Sequence, residues 1–377
     1  MKVCVLQTVL DPFKGGNHLP LFAACSDIEF TILCNRSKVP ESDLPSNVSV
    51  VTVPGRTGPY YYGFSDFLFA RSILKRFGVK DPFWQQFDVI HLNQVMGPAL
   101  RKLQNTGVSL LFLIHHPVTA DREVAVSEST LLQSLVWRLK YAALIHFQSC
   151  MCKAASRIVT VSHTMRKRIA ADYGCLEEKI SVVQNGVNGD LFTLTPDAEC
   201  TYDVIALGSF IHPRKGFPYL LEVYKKLAAS GKRIADVGRR SDEQRKALAL
   251  IDGVTVHNMV DAEMLNDLVR KSRVLISVSL FEGFGLSLIE ALACGHPCFA
   301  FGSGAVPEVL GSIDPDLIIS PRDTVATIKA VEQYLSLASK ERDAKGEHYR
   351  TAVLTQYPLA SSASELQKVY TDMVKQT

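Results

Sequence analysis

Two glutamates, Glu282 and Glu290, lie eight residues apart on either side of a glycine-rich turn. The apolar run at 274–278 before them predicts a buried parallel strand, and LSLIEALA after the turn predicts a helix that ends at Gly295. Such a turn presents backbone N–H groups at the positive end of a helix dipole, where phosphate groups bind. Glu290 would lie one turn into the helix at a position of the apolar pattern, where burying a carboxylate costs free energy unless the group has a partner or a function. The spacing therefore predicts a site for a phosphorylated ligand rather than an ordinary strand–helix junction.

The elements around this turn fit a sheet of parallel strands with helices between them. Further strands are predicted at residues 3–10, 29–34, 48–53, 88–92, 110–115, 202–207 and 297–301. Helical patterns separate most of these strands, and this alternation predicts a doubly wound α/β sheet. At 377 residues the chain is long enough for two such domains, each with its own core.

The composition is that of an ordinary globular protein. Hydrophobic residues make up 47% and charged residues 21% of the chain, and the formal net charge of +3 is too small to imply a nucleic-acid partner. The nine cysteines contain no C-x-x-C pair, which favours free thiols in a reducing compartment and argues against a zinc site. The apolar N-terminus is too short for a signal peptide and no run is long enough for a membrane span. We therefore expect a cytoplasmic protein.

The segment from Ser279 to Gly295 resembles the signature of the family 4 retaining glycosyltransferases, in which seven residues separate two glutamates. The resemblance covers most of the chain and is strongest in residues 155–310. It implies the GT-B fold, with two Rossmann-like doubly wound domains facing a cleft and a C-terminal helix that crosses back to the first domain. The implied acceptor-binding domain is 1–187 with the helix at about 357–377, and the implied nucleotide-sugar-binding domain is 188–356.

The resemblance also assigns a donor site. Glu290 would accept hydrogen bonds from the ribose hydroxyls, and Glu282 would hold the hydroxyls of the sugar. Lys215 would balance the charge of the leaving diphosphate in place of a metal ion, with Arg214 beside it. Further donor contacts would come from a Gly-Gly loop after the first strand, the loop before Asp261 and the turn after Glu282, and the residues are Gly15, Gly16, Val260, Gly283, Phe284, Gly285 and Leu286.

The sequence departs from the family pattern at Ser209. The family usually has an arginine directly after the first glycine of this loop, where a guanidinium group clamps the phosphates. A hydroxyl cannot replace that clamp without loss, so either another cation substitutes or the donor binds weakly. Arg214 and Arg239 are the candidates for the substitute, and Arg239 is preferred because the family more often has a turn containing Gly and Asp at its place.

In the first half, a predicted strand ends on two histidines. The family has a histidine at this strand end that contacts the donor sugar. His115 is the better match by register and His116 is the alternative, since a shift of one residue turns a side chain to the other face. Asp121 and Arg122 would lie in the loop that follows, on the acceptor side. Tyr61, in another loop, is a further acceptor-side candidate.

The resemblance implies the retaining transfer of a hexosyl group from a nucleotide sugar to a sugar, glycolipid or small-molecule acceptor, and we expect UDP rather than GDP as the carrier. His115, Glu282 and Lys215 would be catalytic, no metal or other cofactor is expected, and the leaving phosphate would help to deprotonate an acceptor that attacks from the same face. The two glutamates would hold the donor rather than flank a glycosidic bond as in a glycosidase. The alternatives are a GT-B sugar-nucleotide epimerase and a non-catalytic or weakly active nucleotide-sugar-binding protein, which Ser209 alone favours.

Two amphipathic stretches with basic residues, 64–80 and 131–153, suit either of two environments. Such helices can lie on an anionic membrane, and a peripheral contact with its inner face is one alternative. More often they cover a sheet and expose their charges to water, which is the arrangement we expect here.

Overall fold

The computed structural model describes residues 1–11, 18–55, 64–94 and 97–375. The chain forms two compact units, one made of Met1–Gln184 with Leu359–Thr377 and the other of Asn185–Pro358. The domain limits expected from the sequence, 187/188 and 356/357, differ from these by two or three residues. Each unit is a parallel sheet with helices, and each is described by itself.

The strands of the first unit are β1 (Lys2–Leu6), β2 (Val9–Leu10), β3 (Glu29–Cys34), β4 (Arg36–Ser37), β5 (Val48–Thr52), β6 (Val89–Asn93), β7 (Ser109–Ile114), β8 (Arg157–Thr160) and β9 (Ile180–Val182). Seven of them form a sheet in the order β5-β3-β1-β6-β7-β8-β9, and β2 pairs with β4. All of these pairs are parallel. The strands are nearly continuous apolar runs because helices cover both faces of such a sheet.

The helices of the first unit are α1 (Leu19–Ala24), α2 (Phe64–Arg76), α3 (Val118–Ser127), α4 (Leu131–Ala154) and α5 (His163–Tyr173). The last helix of the chain, Leu359–Lys375, also belongs to this unit. It contributes Ala363, Leu366, Tyr370 and Met373 to the core that contains Val5, Phe22 and Phe30. The expected return of a C-terminal helix to the first domain is thereby confirmed.

The strands of the second unit are β10 (Tyr202–Leu207), β11 (Ile234–Val237), β12 (Val254–His257), β13 (Ser272–Ser277), β14 (Cys298–Phe301) and β15 (Ile318–Ile319), and they form a parallel sheet in the order β12-β11-β10-β13-β14-β15. Its helices are α6 (Phe217–Ala229), α7 (Asp242–Leu248), α8 (Ala262–Arg270), α9 (Leu286–Ala293), α10 (Val306–Leu310), α11 (Thr324–Leu335) and α12 (Ser339–Gln356), so that the last helix of the chain is α13. Both units are therefore Rossmann-like, as the sequence predicts.

The first strand and helix α12 differ from the prediction. The strand expected at 3–10 is divided into β1 and β2, which pair with different partners. Helix α12 was not predicted, because its sequence SKERDAKGEHYRTAVLTQ has few apolar residues. Its buried positions are Gly346, Tyr349 and Val353, which share one face at helical spacing.

Candidate active site

The candidate donor site lies where the sheet of the second unit reverses its strand order, between β10 and β13. In open α/β sheets, ligands bind beyond the carboxyl ends of the strands at such a point. Gly208 follows β10, and the segment from Val278 to Gly285 follows β13. The predicted donor residues of these two segments therefore belong to one edge of one sheet.

Two glycines allow the backbone loops at this edge to touch. Gly208 has a φ of +128° and Gly238, after β11, has a φ of +120°, values that L side chains rarely adopt. A Cβ atom on Gly238 would lie 2.4 Å from the carbonyl oxygen of Gly208. Both positions therefore require glycine, and the two loops form one continuous backbone surface beside β10.

Glu282 contacts both basic residues predicted for the diphosphate. Lys215 Nζ donates a hydrogen bond of 2.6 Å to Oε1 of Glu282, and Arg214 Nη1 lies 3.5 Å from Oε2. Burial alone would raise the pKa of Glu282, but the two cations and hydrogen bonds from Lys215 and Ser279 outweigh it and lower the pKa to about 2. One ionised carboxylate facing two cations leaves a net positive charge, which suits a diphosphate.

Neighbouring loops hold the backbone around Glu282. Gly304 has a φ of +60°, and a Cβ atom there would lie 2.1 Å from the carbonyl oxygen of Glu282. The same carbonyl accepts a hydrogen bond of 2.9 Å from the N–H of Ala305. On the other side, the N–H of Leu280 donates to the carbonyl of Arg214 at 2.7 Å, and Arg214 Nη1 donates to the carbonyl of Phe281 at 2.7 Å. Glu282 is thus fixed by its main chain as well as by its partners.

The turn after Glu282 begins helix α9. Its N-cap is Gly285, with a φ of +92° and no capping side chain, so that no side chain occupies the first N–H groups. The Phe284 side chain is buried against Tyr357, with ring centroids 5.4 Å apart, which leaves only its backbone for a ligand. Gly283 is buried and Leu286 is exposed. At this turn it is therefore the backbone of Gly283, Phe284 and Gly285, rather than a side chain, that a ligand could contact.

Glu290 lies in α9, one turn after Leu286. Burial raises the pKa of Glu290 to about 7. Among the residues that the structure describes, no hydrogen-bond or ion-pair partner of its carboxylate is found. Glu290 is half-buried, and a carboxyl group that is partly withdrawn from water without such a partner is suited to accept hydrogen bonds from the hydroxyls of a ligand.

The two adjacent arginines after β11 have different environments. Arg239 is exposed, whereas Arg240 is buried and its Nη2 lies 2.6 Å from Oδ1 of Asp236. Arg240 Nη1 also donates to the carbonyl of Gly208 at 2.6 Å, and its guanidinium lies over the ring of Phe210 at 4.4 Å. Arg240 therefore supports the glycine loop, a function that the sequence analysis did not assign, while Arg239 remains accessible next to it.

The other predicted residues of the donor side have varied environments. Ser209, the departure from the family pattern, is exposed. Val260 is half-buried and precedes Asp261, whose side chain caps α8 by accepting from the N–H of Met264. Gly15 and Gly16 lie outside the described residues, as does Tyr61 of the acceptor side.

In the first unit, His115 directly follows β7 and has a partner that sequence reasoning missed. Its Nε2 lies 3.0 Å from Nε2 of His18, and the two rings are almost parallel, at 9°. Burial lowers the pKa of His18 to about 4 and that of His115 well below its usual value, so both are neutral at pH 7. In a neutral pair one Nε2 carries the hydrogen and the other accepts it, so each ring determines the tautomer of the other. His18 stands just before α1, at a place where no sequence motif marks it.

The histidine pair adjoins a third buried histidine. A hydrogen bond of 2.6 Å joins Nδ1 of His91, in β6, to the hydroxyl of Tyr370 in α13. Burial, with a smaller contribution from His18, lowers the pKa of His91 to about 3. His18, His91 and His115 thus form a neutral, mostly buried imidazole cluster near the carboxyl edge of this sheet. The hydrogen bond between His91 and Tyr370 links the cluster to α13.

The acceptor-side candidates belong to α3. Asp121 and Arg122 were expected in a loop, but the structure includes both in the first turns of this helix, which begins at Val118 directly after Pro117. Proline at this place fits a helix start, which the loop prediction overlooked. Asp121 Oδ2 lies 3.1 Å from Nε2 of His116. His116 is therefore engaged with α3, while His115 is engaged with His18.

Residues 1–11, 18–55, 64–94 and 97–375 contain no group of three or more His, Cys, Asp or Glu side chains that are arranged so that they could hold a metal ion. The Asp-x-Asp sequence at Asp314 and Asp316 lies in a turn. There Asp314 accepts hydrogen bonds from the N–H of Asp316 at 3.0 Å and from the hydroxyl of Tyr349 at 3.1 Å. These contacts give the Asp314 carboxylate a role in the turn.

Known proteins resemble this chain in sequence and in fold. The chain is 28% identical over 294 residues to the MMP α-(1→4)-mannosyltransferase of Mycolicibacterium hassiacum, covering 75% of this chain and 70% of that protein. Its structure is similar to that of the sucrose-phosphate synthase from Thermosynechococcus elongatus (TM-score 0.75, 17% identity, 100% of both chains). It is also similar to Anabaena HepE in complex with UDP and glucose (TM-score 0.73, 14% identity, 99% of this chain and 100% of that chain). These structural matches establish the GT-B fold.

Two family models match consecutive parts of the chain. The model described as Glycosyltransferase Family 4 matches residues 23–191, and the model described as Glycosyl transferases group 1 matches residues 201–336. Between them they span most of the chain, and the second contains the Glu282–Glu290 segment. The chain belongs to the family 4 glycosyltransferases of GT-B fold.

Proposed function

We propose that this glycosyltransferase transfers a hexosyl group from a nucleotide sugar with retention of the anomeric configuration. The observation that carries the proposal is the cluster of Glu282, Lys215 and Arg214 beside the glycine-rich turn. It combines a carboxylate for sugar hydroxyls with an excess of positive charge for a diphosphate. The carboxylate of Glu290, one turn into α9, accepts hydrogen bonds from the ribose hydroxyls of the donor.

The donor is proposed to be a UDP-sugar in preference to a GDP-sugar. HepE is similar in structure and was solved with UDP and glucose, and the mycobacterial relative is named a mannosyltransferase, which supports a hexosyl group. Lys215 and Arg214 would stabilise the leaving diphosphate without a metal ion. The acceptor, which is a sugar, a glycolipid or a small molecule, is assigned to the first unit.

A specific observation also favours a second candidate, a nucleotide-sugar-binding protein with little or no transfer activity. Ser209 occupies the place of the family's phosphate-binding arginine and is exposed, so it provides no guanidinium clamp. In this second candidate the nucleotide still binds at Glu290, but no sugar is transferred.

A thermal-shift panel of UDP, GDP, ADP and their hexose conjugates, with and without EDTA, tests the proposal. A ligand that binds only the folded state raises the melting temperature with its occupancy. We expect a shift with UDP and UDP-hexoses that EDTA does not change, together with slow release of UDP from the matching sugar conjugate. A shift without release in the presence of any tested acceptor would favour the second candidate, and no shift at all would contradict both.

Nucleoside binding should depend on the protonation of Glu290. Because the ionised carboxylate is the form that accepts two ribose hydroxyls, affinity rises as pH rises through its pKa of about 7. From pH 6 to pH 8 the affinity should increase about tenfold. The measurement is calorimetry with the nucleoside of the best nucleotide, since a nucleoside carries no phosphate that titrates in this range.

Glu290→Gln is the matched variant for this pH dependence, since it keeps the shape of the side chain and removes its titration. It should bind the nucleoside more weakly than the native chain at pH 8, and its affinity should not vary between pH 6 and pH 8. A variant that retains native affinity and native pH dependence would remove Glu290 from the ribose site.

If Arg239 takes over the role of the arginine that Ser209 replaces, Arg239→Ala should weaken binding of the nucleoside diphosphate about tenfold. A loss of this size is expected when one partly exposed, charge-assisted hydrogen bond is removed. Binding of the nucleoside without phosphates should not change. Lys246→Ala, which removes an exposed cation from α7, is the charge-matched control. Equal dissociation constants for Arg239→Ala and the native chain would leave Arg214 as the remaining candidate.

A further inference from the structure

Helix α4 of the first unit exposes an apolar surface. Leu131, Leu132, Leu135, Val136 and Leu139, here called the α4 stripe, are between 45% and 93% exposed. From its sequence, this amphipathic segment is expected to cover the sheet and to expose its charges to water. The first turns of α4 instead expose leucines and a valine. Single exposed leucines are ordinary on protein surfaces, but five consecutive members of one helical stripe are not.

The α4 stripe occupies one side of the helix. At about 100° per residue its members fall within an arc of roughly 140°, and the exposed Ala142 and Ala143 continue the same side. The opposite side packs into the unit through Tyr141 and Leu144, which share a core with Val118 and Ala125 of α3. The fold therefore already uses the inner side of α4, and the stripe contributes nothing to that core.

Basic residues lie along the edges of the stripe. Helical spacing places Arg138 at one edge and Lys140 at the other, where Lys140 Nζ lies 5.0 Å from the centroid of the Trp137 ring. The 24 residues of α4 contain no aspartate or glutamate, and Glu128 is the acidic residue nearest to the stripe along the chain. A 3-10 helix at Pro98–Thr106 packs against α4 and exposes Arg101 and Lys102, and it too has no acidic residue. An apolar stripe with cations at its margins is the pattern of a helix that lies in the headgroup region of an anionic bilayer.

We propose that the α4 stripe binds the surface of a bilayer that contains anionic lipids. The leucines enter the boundary between headgroups and acyl chains, and Arg138 and Lys140 contact lipid phosphates. The contact is peripheral, since none of the helices in the described part of the chain is long and apolar enough to cross a membrane.

Charge decides against a second copy of the chain as the occupant. A symmetric pair of α4 helices would bring two sets of Arg138 and Lys140 together, and α4 has no carboxylate to face them. An anionic surface supplies the opposite charge and the apolar layer at once. The proposal does not depend on the donor or acceptor assigned above, because it concerns the free enzyme.

Co-sedimentation of the full chain with vesicles, without donor or acceptor, tests the proposal. Vesicles of phosphatidylglycerol and phosphatidylcholine should bind the chain, and those of phosphatidylcholine alone should bind it much more weakly. Leu135→Gln/Leu139→Gln should lower the partition coefficient for the anionic vesicles at least tenfold. Leu250→Gln, at a leucine of the second unit that is 86% exposed, is the matched control and should bind like the native chain.

Charge is tested separately. Arg138→Gln/Lys140→Gln should lower binding to anionic vesicles about tenfold and reduce its dependence on salt. Native melting temperatures and nucleotide-induced shifts would show that these surface variants are folded. Three results would overturn the proposal: no binding of the native chain to anionic vesicles at low salt, equal binding by Leu135→Gln/Leu139→Gln, or a dimer in sedimentation velocity that this double variant dissociates.

Discussion

Replacing Lys215 by alanine should lower the turnover number about 10²–10³-fold, the loss expected when one preorganised charge is removed from a transition state. Lys215 lies 2.6 Å from Glu282, and in the proposed reaction it also stabilises the charge that develops on the leaving diphosphate. Because this charge grows as the glycosidic bond breaks, the variant should lose more in turnover than in affinity for the intact nucleotide sugar. Steady-state kinetics with direct measurement of donor binding would separate the two effects.

The same variant should change Glu282. With Lys215 removed, Arg214 is the remaining cation beside this carboxylate, so the pKa of Glu282 should rise from about 2. The acid limb of the pH–rate profile should therefore move to higher pH. Lys225→Ala, at an exposed lysine of α6, is the control for loss of one positive charge in the same unit. Turnover by Lys215→Ala within a few-fold of native would remove Lys215 from the catalytic residues.

The second large effect is expected at His115. His115→Ala should lower turnover about 10²-fold, because in the proposed reaction the reacting sugar would lose a contact with the imidazole and the geometry of the attack would relax. Nucleotide affinity should change little, since Glu290 and the cations beside Glu282 belong to the other unit. Single-turnover rates, with donor dissociation constants measured in parallel, provide the comparison.

His18 and His116 provide matched variants for His115. His18→Gln should reduce turnover about tenfold by releasing the His115 ring without removing it, an effect of positioning rather than of contact. Nitrogen chemical shifts of the His115 imidazole should then report a mixture of tautomers in place of one. His116→Ala should be the mildest of the three. If it proves the most damaging, the role assigned to His115 belongs to its neighbour.

Much of the fold follows from runs of apolar residues. Strands β3 and β10 occur at the predicted residues because a strand covered on both faces is a mostly apolar run between polar turns. Helix α12 has the opposite character, since most of its surface faces water and its three buried residues leave a weak periodic signal. Hydrophobicity patterns predict an element that is buried on both faces better than a helix that buries only a narrow stripe of its surface.

The site was predictable in its residue types and less so in their connections. The family resemblance implied roles for Lys215, Arg214 and Glu282 one residue at a time, but Glu282 contacts Lys215 and Arg214 across 67 and 68 positions of the chain. The pairs His18–His115 and His91–Tyr370 join positions 97 and 279 residues apart, and no local pattern encodes them. The opposite environments of Arg239 and Arg240 depend on Asp236, which lies in the buried end of β11 and turns one of two adjacent arginines inward.

The position of α13 determines when each unit can complete its folding during synthesis. The second unit is one continuous segment that ends at Pro358, so all of its residues exist before α13 is translated. The first unit emerges from the ribosome earlier, yet its core requires Leu366, Tyr370 and Met373 from the last helix. Although domains generally fold in the order in which they emerge, the amino-terminal unit of this chain is the last to become complete. Until then the surface that α13 covers is available to chaperones.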